Sequence, residues 1–189
     1  MKNIVILGPS RVGKSTLASL IYNKYGFTYI SGDSIRNAFI NIYPELGYNT
    51  KNTINRIEFC KFINWIIHEN NIHLKRNIYY VIDSADISIE NAKEVFKDSL
   101  IIAIGTKDTT VNQMIDNIKK NDTKLEWTYG YSDRELSDIA NEIIQKSKIM
   151  YEECLANNIP YFDTSINRNQ ELDKICQFVE KEMDLINNE

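Results

Sequence analysis

The sequence predicts an α/β fold built on a parallel sheet with crossover helices, and three observations carry that expectation. Short apolar segments alternate with longer segments of helical period along the chain. A loop containing two glycines, Gly8-Pro9-Ser10-Arg11-Val12-Gly13-Lys14-Ser15, stands between the first apolar segment and the first helical one. A chain of 189 residues, 43% of them hydrophobic, can bury a core of this kind, and a single domain over 1–189 is expected.

Five strands are expected, at Asn3 to Leu7, Thr28 to Ser31, Ile78 to Asp83, Leu100 to Gly105 and Ile159 to Phe162. Between the first two, Leu17, Leu20, Ile21 and Tyr25 mark one helix face and Gly26 supplies the stop. A short helix from Ser34 ends before Pro44, and a longer one, about Asn52 to Glu69, turns Ile54, Ile57, Phe62, Ile66 and Ile67 toward the core. Thr109 is positioned to cap the helix that carries Val111, Met114, Ile115 and Ile118. Ser132 and Glu135 form a capping box for a long helix with Leu136, Ile139, Ile143, Met150 and Cys154 inward. A final helix carries Leu172, Ile175, Val179 and Met183. The polar stretch within 119–133, with Trp127, Tyr129 and Tyr131, is the conspicuous irregular connection and reads as a small lid.

Composition narrows the function classes. A net charge of −4 and a pI near 5.3 argue against a broad surface for duplex nucleic acid and leave small anionic ligands in play. No apolar run approaches the roughly 20 residues of a membrane span, and no signal-peptide layout precedes the glycine loop, so a cytoplasmic protein is expected. Cys60, Cys154 and Cys176 are odd in number and flanked by apolar sequence, which reads as buried free thiols.

The glycine loop fits G-x-x-x-x-G-K-[ST] in full and lies between strand and helix, where that motif acts. Backbone N–H groups from Gly8 through Pro9, Ser10, Arg11 and Val12 to Gly13 surround one concavity, and the helix N-terminus adds its positive dipole end, so phosphate oxygens meet fixed donors. Proline contributes its place in the turn rather than a donor. Lys14 brings a mobile charge to the β- and γ-phosphates, Ser15 is placed to ligate Mg²⁺, and Thr16 can add a bond to the α-phosphate. The expected ligands are ATP and Mg²⁺.

Ligands of open α/β sheets gather at the carboxyl edge of the strands. There the second strand runs into Gly32-Asp33-Ser34-Ile35-Arg36, and the third ends in Val81-Ile82-Asp83-Ser84-Ala85-Asp86. Asp83 is placed as the carboxylate that holds Mg²⁺ directly or through water, with a loop cap as its plainer reading. Asp33 can orient a hydroxyl or take its proton, and serves equally as a helix N-cap. Asp86 reads chiefly as a loop residue. Arg56 can reach an anionic substrate or lie solvated along the surface.

At these residues the sequence resembles the P-loop kinases of the nucleoside and nucleotide kinase group, including the adenylate kinase and shikimate kinase branches. Gly32-Asp33-Ser34-Ile35-Arg36 resembles the acceptor-site element of adenylylsulfate kinases and zeta-toxin kinases. The resemblance implies a P-loop NTPase three-layer sandwich, with helices on both faces of a five-stranded sheet of order 2-3-1-4-5. It implies Asp33 as general base or orienter and Arg36 as anchor for an acceptor's phosphate or carboxylate. It also sets the loop Asp163-Thr164-Ser165-Ile166-Asn167-Arg168 beside the adenine, with Asn167 as a contact, although the same residues read as a turn before a helix.

Such kinases usually carry arginines in the lid. Gln113 to Trp127 offers Lys119, Lys120 and Lys124, which lack the planar fork, so Arg134 is the catalytic guanidinium expected here, against the plainer reading of a solvated charge at a helix start. The expected function is transfer of the γ-phosphate of ATP to a small acceptor, a nucleoside or nucleotide foremost, by a monomer or homodimer. The alternatives are a P-loop ATPase or nucleotide-binding regulator without an acceptor, and a toxin or antibiotic-modifying kinase. A GTPase is disfavoured: Thr106-Lys107-Asp108-Thr109 sets Thr109 where the guanine-reading pattern needs Asp, and Asp83-Ser84-Ala85-Asp86 lacks the glycine of a γ-phosphate-sensing switch.

Overall fold

Every residue of the first strand is fully buried, and that strand becomes the centre of the sheet. A computed structural model describes residues 1–187, leaving the end of the expected 1–189 domain outside the described residues. The strands are β1 (Ile4–Leu7), β2 (Thr28–Ser31), β3 (Tyr80–Ser84), β4 (Leu100–Gly105) and β5 (Tyr161–Asp163), ordered β2-β3-β1-β4-β5 and parallel throughout. Interior parallel strands are covered on both faces, which is why β1 reads as an unbroken apolar run and β3 stays apolar over Tyr80, Val81 and Ile82 before delivering Asp83 and Ser84 at its buried end.

Seven α-helices cover the described residues of the two faces: α1 (Lys14–Tyr25), α2 (Gly32–Ile42), α3 (Ile57–Leu74), α4 (Ile89–Val95), α5 (Val111–Asn121), α6 (Asp133–Asn157) and α7 (Arg168–Asn187). Successive side chains alternate across the sheet. Ile4, Ile6, Val81, Ile102 and Ile104 face a core completed by α1, α5, α7 and the first half of α6. Val5, Leu7, Ile82 and Ala103 face a second core with α3, α4 and Met150 and Cys154 from the second half of α6. Truncating a fully buried residue such as Ile6 to alanine costs about 2–5 kcal/mol, the lost transfer energy plus the cavity left behind.

Several local expectations are corrected. β1 begins one residue later than expected, and β3 and β5 begin two later and end one later; Asn3, outside β1, turns its side chain to accept the Tyr80 N–H at the start of β3. Leu20 is exposed, whereas Leu17 and Ile21 are buried. A 3₁₀ turn over Thr53–Asn55 delays the third helix to Ile57, and Phe59, Cys60, Ile63 and Ile67 form its inner face; Phe62 is exposed. Thr110, not Thr109, caps α5, in a capping box with Gln113, while Thr109 is buried one step earlier. The short α4 was not expected. The capping box of Ser132 and Glu135 and the αL stop at Gly26 stand as predicted.

Candidate nucleotide and phosphoryl-transfer site

The loop after β1 turns so tightly that its glycines are a steric requirement. A Cβ on Gly8 would fall 2.2 Å from the carbonyl oxygen of Ile104 on the neighbouring strand, and Gly13 occupies φ 110°, accessible to glycine at little cost. Gly13 is the N-cap of α1 and brings no side chain to it, so no side-chain cap occupies the first-turn amides. Arg11 lies in the left-handed region at φ 68°, which costs about 1 kcal/mol or more for a residue with a Cβ. Its guanidinium is held against that cost by Asp122 at 2.6 Å, Glu126 at 2.6 Å and the Ile118 carbonyl at 3.3 Å. Thr128 donates to the same Asp122 oxygen, so the connection over residues 122–132 is tied to the loop through one arginine.

Lys14 is buried and donates to the Pro9 carbonyl at 2.8 Å. Burial pulls its ammonium below the usual lysine range, opposed by the charges of Asp33, Asp83 and Asp86. Ser15 donates to Asp83 Oδ2 at 2.7 Å, and Tyr29 on β2 donates to Asp83 Oδ1 at 2.9 Å. The pairing of Ser31 with Asp83 across β2 and β3 sets this geometry, because it brings the ends of the two strands level. Burial raises the Asp83 carboxyl, against the hydroxyl bonds and the Lys14 charge. Tyr29 carried no sequence signal for this place.

A hydroxyl and a carboxylate at this separation are hard oxygen donors of the kind that suit Mg²⁺. Among the described residues no cluster of three or more His, Cys, Asp or Glu is placed to hold a metal.

The second wall starts from Gly32, where α2 approaches β3 so closely that a Cβ would fall 2.6 Å from Ser84 Oγ. Ser31 caps this helix through the Ser34 N–H, which leaves Asp33 for another use. Asp33 lines the same cavity of about 300 Å³ as Ser10, Gly13, Lys14, Ser15 and Thr16, and accepts a long bond from the Ala85 N–H at 3.4 Å. Arg36 ion-pairs with the buried Asp86 and lies 3.8 Å from Asp33. Burial pushes the Asp86 carboxyl up to about 6, with the Arg36 charge pulling the other way and the nearby Asp33 adding to the rise. Asp86 is therefore a structural partner of the second wall, a role that only the fold reveals.

The cavity is closed on its other side by Asn121, Glu126, Trp127 and Arg168. Arg168 lies over Gly13 and donates to Thr16 Oγ1 at 2.8 Å. Arg134 is exposed in the first turn of α6 and does not line the cavity, and Asn167 is exposed, its side chain accepting the Gln170 N–H at the start of α7. Lys119 pairs with Asp133, and the cavity lining includes neither Lys120 nor Lys124. Arg56 donates to the Leu46 and Gly47 carbonyls at 2.7 and 3.0 Å and stacks over Tyr48, bracing the turn between α2 and α3.

No family model matches the chain. Over 54 residues it is 43% identical to the adenylate kinase of Mycoplasmopsis pulmonis, a stretch covering 29% of this chain and 25% of that protein. The chain thus spans about a quarter of the length of the curated relatives it matches. Among solved structures it is similar to the shikimate kinase from Bacteroides thetaiotaomicron, with a TM-score of 0.56, 12% identity and coverage of 97% of this chain and 98% of that one. It is also similar to a gluconokinase from Sinorhizobium meliloti 1021, with a TM-score of 0.53, 11% identity and coverage of 96% and 97%. At these identities the likeness is one of fold: a five-stranded parallel sheet of order 2-3-1-4-5 flanked by helices, as in P-loop kinases.

Proposed function

We propose that this protein is a P-loop phosphotransferase that uses ATP and Mg²⁺ to phosphorylate a small hydroxylated acceptor, of nucleoside or nucleotide size. The observation that carries the reading is the convergence of Lys14, Ser15 and Asp33 on one cavity, with Asp83 bonded to Ser15. An ATPase needs the first half of that arrangement. A carboxylate facing the phosphate loop from α2 suits a second substrate. The fold shared with kinases of small molecules supports the same reading.

In this reading the amides of Gly8 to Gly13 and the α1 terminus solvate the phosphates, and Lys14 balances charge on the β- and γ-groups. Ser15 and Asp83 would hold Mg²⁺, which when bound neutralises phosphate charge and orients the terminal group. Thr16 and Arg168 stand at the α-phosphate end. Arg168, which lines the cavity, takes the cationic role ahead of the exposed Arg134. Asp33 orients the acceptor hydroxyl; as its oxygen bonds to the γ-phosphorus and the bond to the β-phosphate oxygen breaks, ADP leaves with that electron pair and Asp33 takes the hydroxyl proton. Residues 119–133, tied to the phosphate loop through Arg11, are assigned as the cover of the site. Among the described residues no helix is long and apolar enough to cross a membrane, and a cytoplasmic location fits the proposed use of ATP.

The test is acceptor-dependent release of ADP across nucleosides, nucleotides and small polyols, together with Asp33→Asn. The variant should bind ATP normally and lose turnover. ATP hydrolysis indifferent to every acceptor, and equal in the variant, would replace this reading with that of an ATPase.

A further inference from the structure

The two guanidinium groups of the acceptor-side segment are already committed to partners within the chain. Residues 28–60 contain three cations, Arg36, Lys51 and Arg56. Arg36 gives Nη1 to Asp86 and directs Nε and Nη2 to Asn37 Oδ1 at 3.2 and 3.1 Å, and its side chain is only 12% exposed. Arg56 gives both terminal nitrogens to backbone carbonyls. Lys51 is exposed in the turn before the 3₁₀ segment. Facing the phosphate loop from this side are Asp33, with Asp83 and Asp86 behind it, against the single charges of Arg36 and Lys14. Around Lys14 three carboxylates thus stand near two cations, while the far side of the cavity adds Arg11, Arg168 and Glu126.

We infer that the acceptor is a hydroxylated molecule carrying no phosphate or carboxylate of its own, an uncharged nucleoside or polyol, because the arginine that would anchor an anion is held by the buried Asp86. The inference rests on the phosphotransferase reading and narrows its acceptor to the uncharged members of that class. An anionic group seated on Arg36 would have to displace Asp86 from Nη1, leaving a buried carboxylate without its counter-ion, or displace Asn37 from Nε and Nη2 and add a further negative charge beside Asp86 and Asp33. A neutral hydroxyl requires no such exchange. It can donate to Asp33, which is two-fifths exposed and faces the cavity, while Arg36 stays paired and fixes the first turn of α2. The Arg36 and Asp86 pair is then a device of specificity: it turns a residue position suited to gripping anions into a wall that repels them.

The test compares neutral acceptors with their anionic counterparts: thymidine with thymidine 5′-monophosphate, adenosine with AMP, and glycerol with glycerol 3-phosphate. Each is measured by ADP formation and by calorimetry on protein saturated with Mg²⁺ and a non-hydrolysable ATP analogue. The neutral member should lead by about tenfold or more in kcat/KM or affinity, as expected for like-charge discrimination. An anionic member preferred to its neutral counterpart, with the preference lost in Arg36→Gln, overturns the inference. If no pair registers, inorganic phosphate decides. Asp86→Asn releases Arg36 and should bind phosphate about tenfold more tightly than wild type, a gain absent when Arg36→Gln is added. Equal phosphate affinity in wild type and Asp86→Asn overturns the inference, and Asp86→Ser serves if the Asn variant does not fold. Failure of the phosphotransferase reading is separately visible, since the ATP analogue then does not bind while the phosphate comparison still reports whether Arg36 is committed.

Discussion

Ser15 and Asp83 are 68 residues apart in the chain and joined by a 2.7 Å hydrogen bond, which couples the start of α1 to the end of β3. Tyr29 holds the other oxygen of the same carboxylate, so each oxygen of Asp83 accepts from a hydroxyl donor before any ligand is considered, with further lone pairs left for a metal. Removing the second donor should loosen the carboxylate without removing a ligand. Tyr29→Phe is expected to raise the Mg²⁺ concentration for half-maximal turnover about tenfold, with metal-free ATP binding unchanged. Titration of Mg²⁺ at fixed ATP checks this, and an unshifted midpoint would show that Ser15 alone orients Asp83.

Lys14 sits within the loop, stripped of most of its water and balanced by three aspartates. Lys14→Ala should weaken triphosphate binding by about 100-fold or more, the usual result of deleting one partner from a desolvated charge pair. Calorimetry with ATP reads the loss, and circular dichroism reads whether the sheet is intact. Wild-type affinity in a folded variant would contradict the phosphate-loop assignment.

Arg11 carries the link from the loop to residues 122–132 through two carboxylates. Arg11→Gln leaves the largely buried Asp122 without its cation and should cost about 3 kcal/mol. Hydrogen exchange should quicken specifically across 122–132, with the β1 and β3 amides still protected. Uniform acceleration over the chain would mean that the link supports the whole fold rather than this connection.

The Asp86 carboxyl also gives stability a pH signature. Its pKa rises on folding from 3.8 to about 6, so the folded chain holds that proton more tightly than the unfolded one. Its stabilising contribution is complete below 3.8 and is lost as pH rises through about 6. Asp86→Asn should flatten the stability profile across that window in urea titrations. A profile unchanged by the substitution would assign the slope to other groups.

What the sequence could disclose depended on how local the cause was. Gly8 to Ser15 is legible because the cradle is made of consecutive backbone groups, and the sheet is legible because its central strands β1 and β4, with the first three residues of β3, are short apolar runs. Phe62 fits the apolar stripe read from the sequence, yet it is exposed, because Phe59, Cys60, Ile63 and Ile67 fill the inner face of α3. Arg36 was expected to face an acceptor; its commitment to Asp86, 50 residues away, follows from the seating of α2 on β3. Tyr29 carries no site signal for the same reason, and Arg168, within the loop expected beside the adenine, has no role of its own in the sequence. Each sits in an unremarkable local pattern, and only strand register or helix packing brings it to the phosphate loop.

The contact of Gly32 with Ser84 makes α2 a fixed jaw. A methyl group at that position would wedge the helix outward, and Asp33 and Arg36, one and four places along, would travel with it. The gap between the phosphate cradle and the carboxylate opposite it is thus gauged by the smallest side chain available, at a residue that need touch neither reactant.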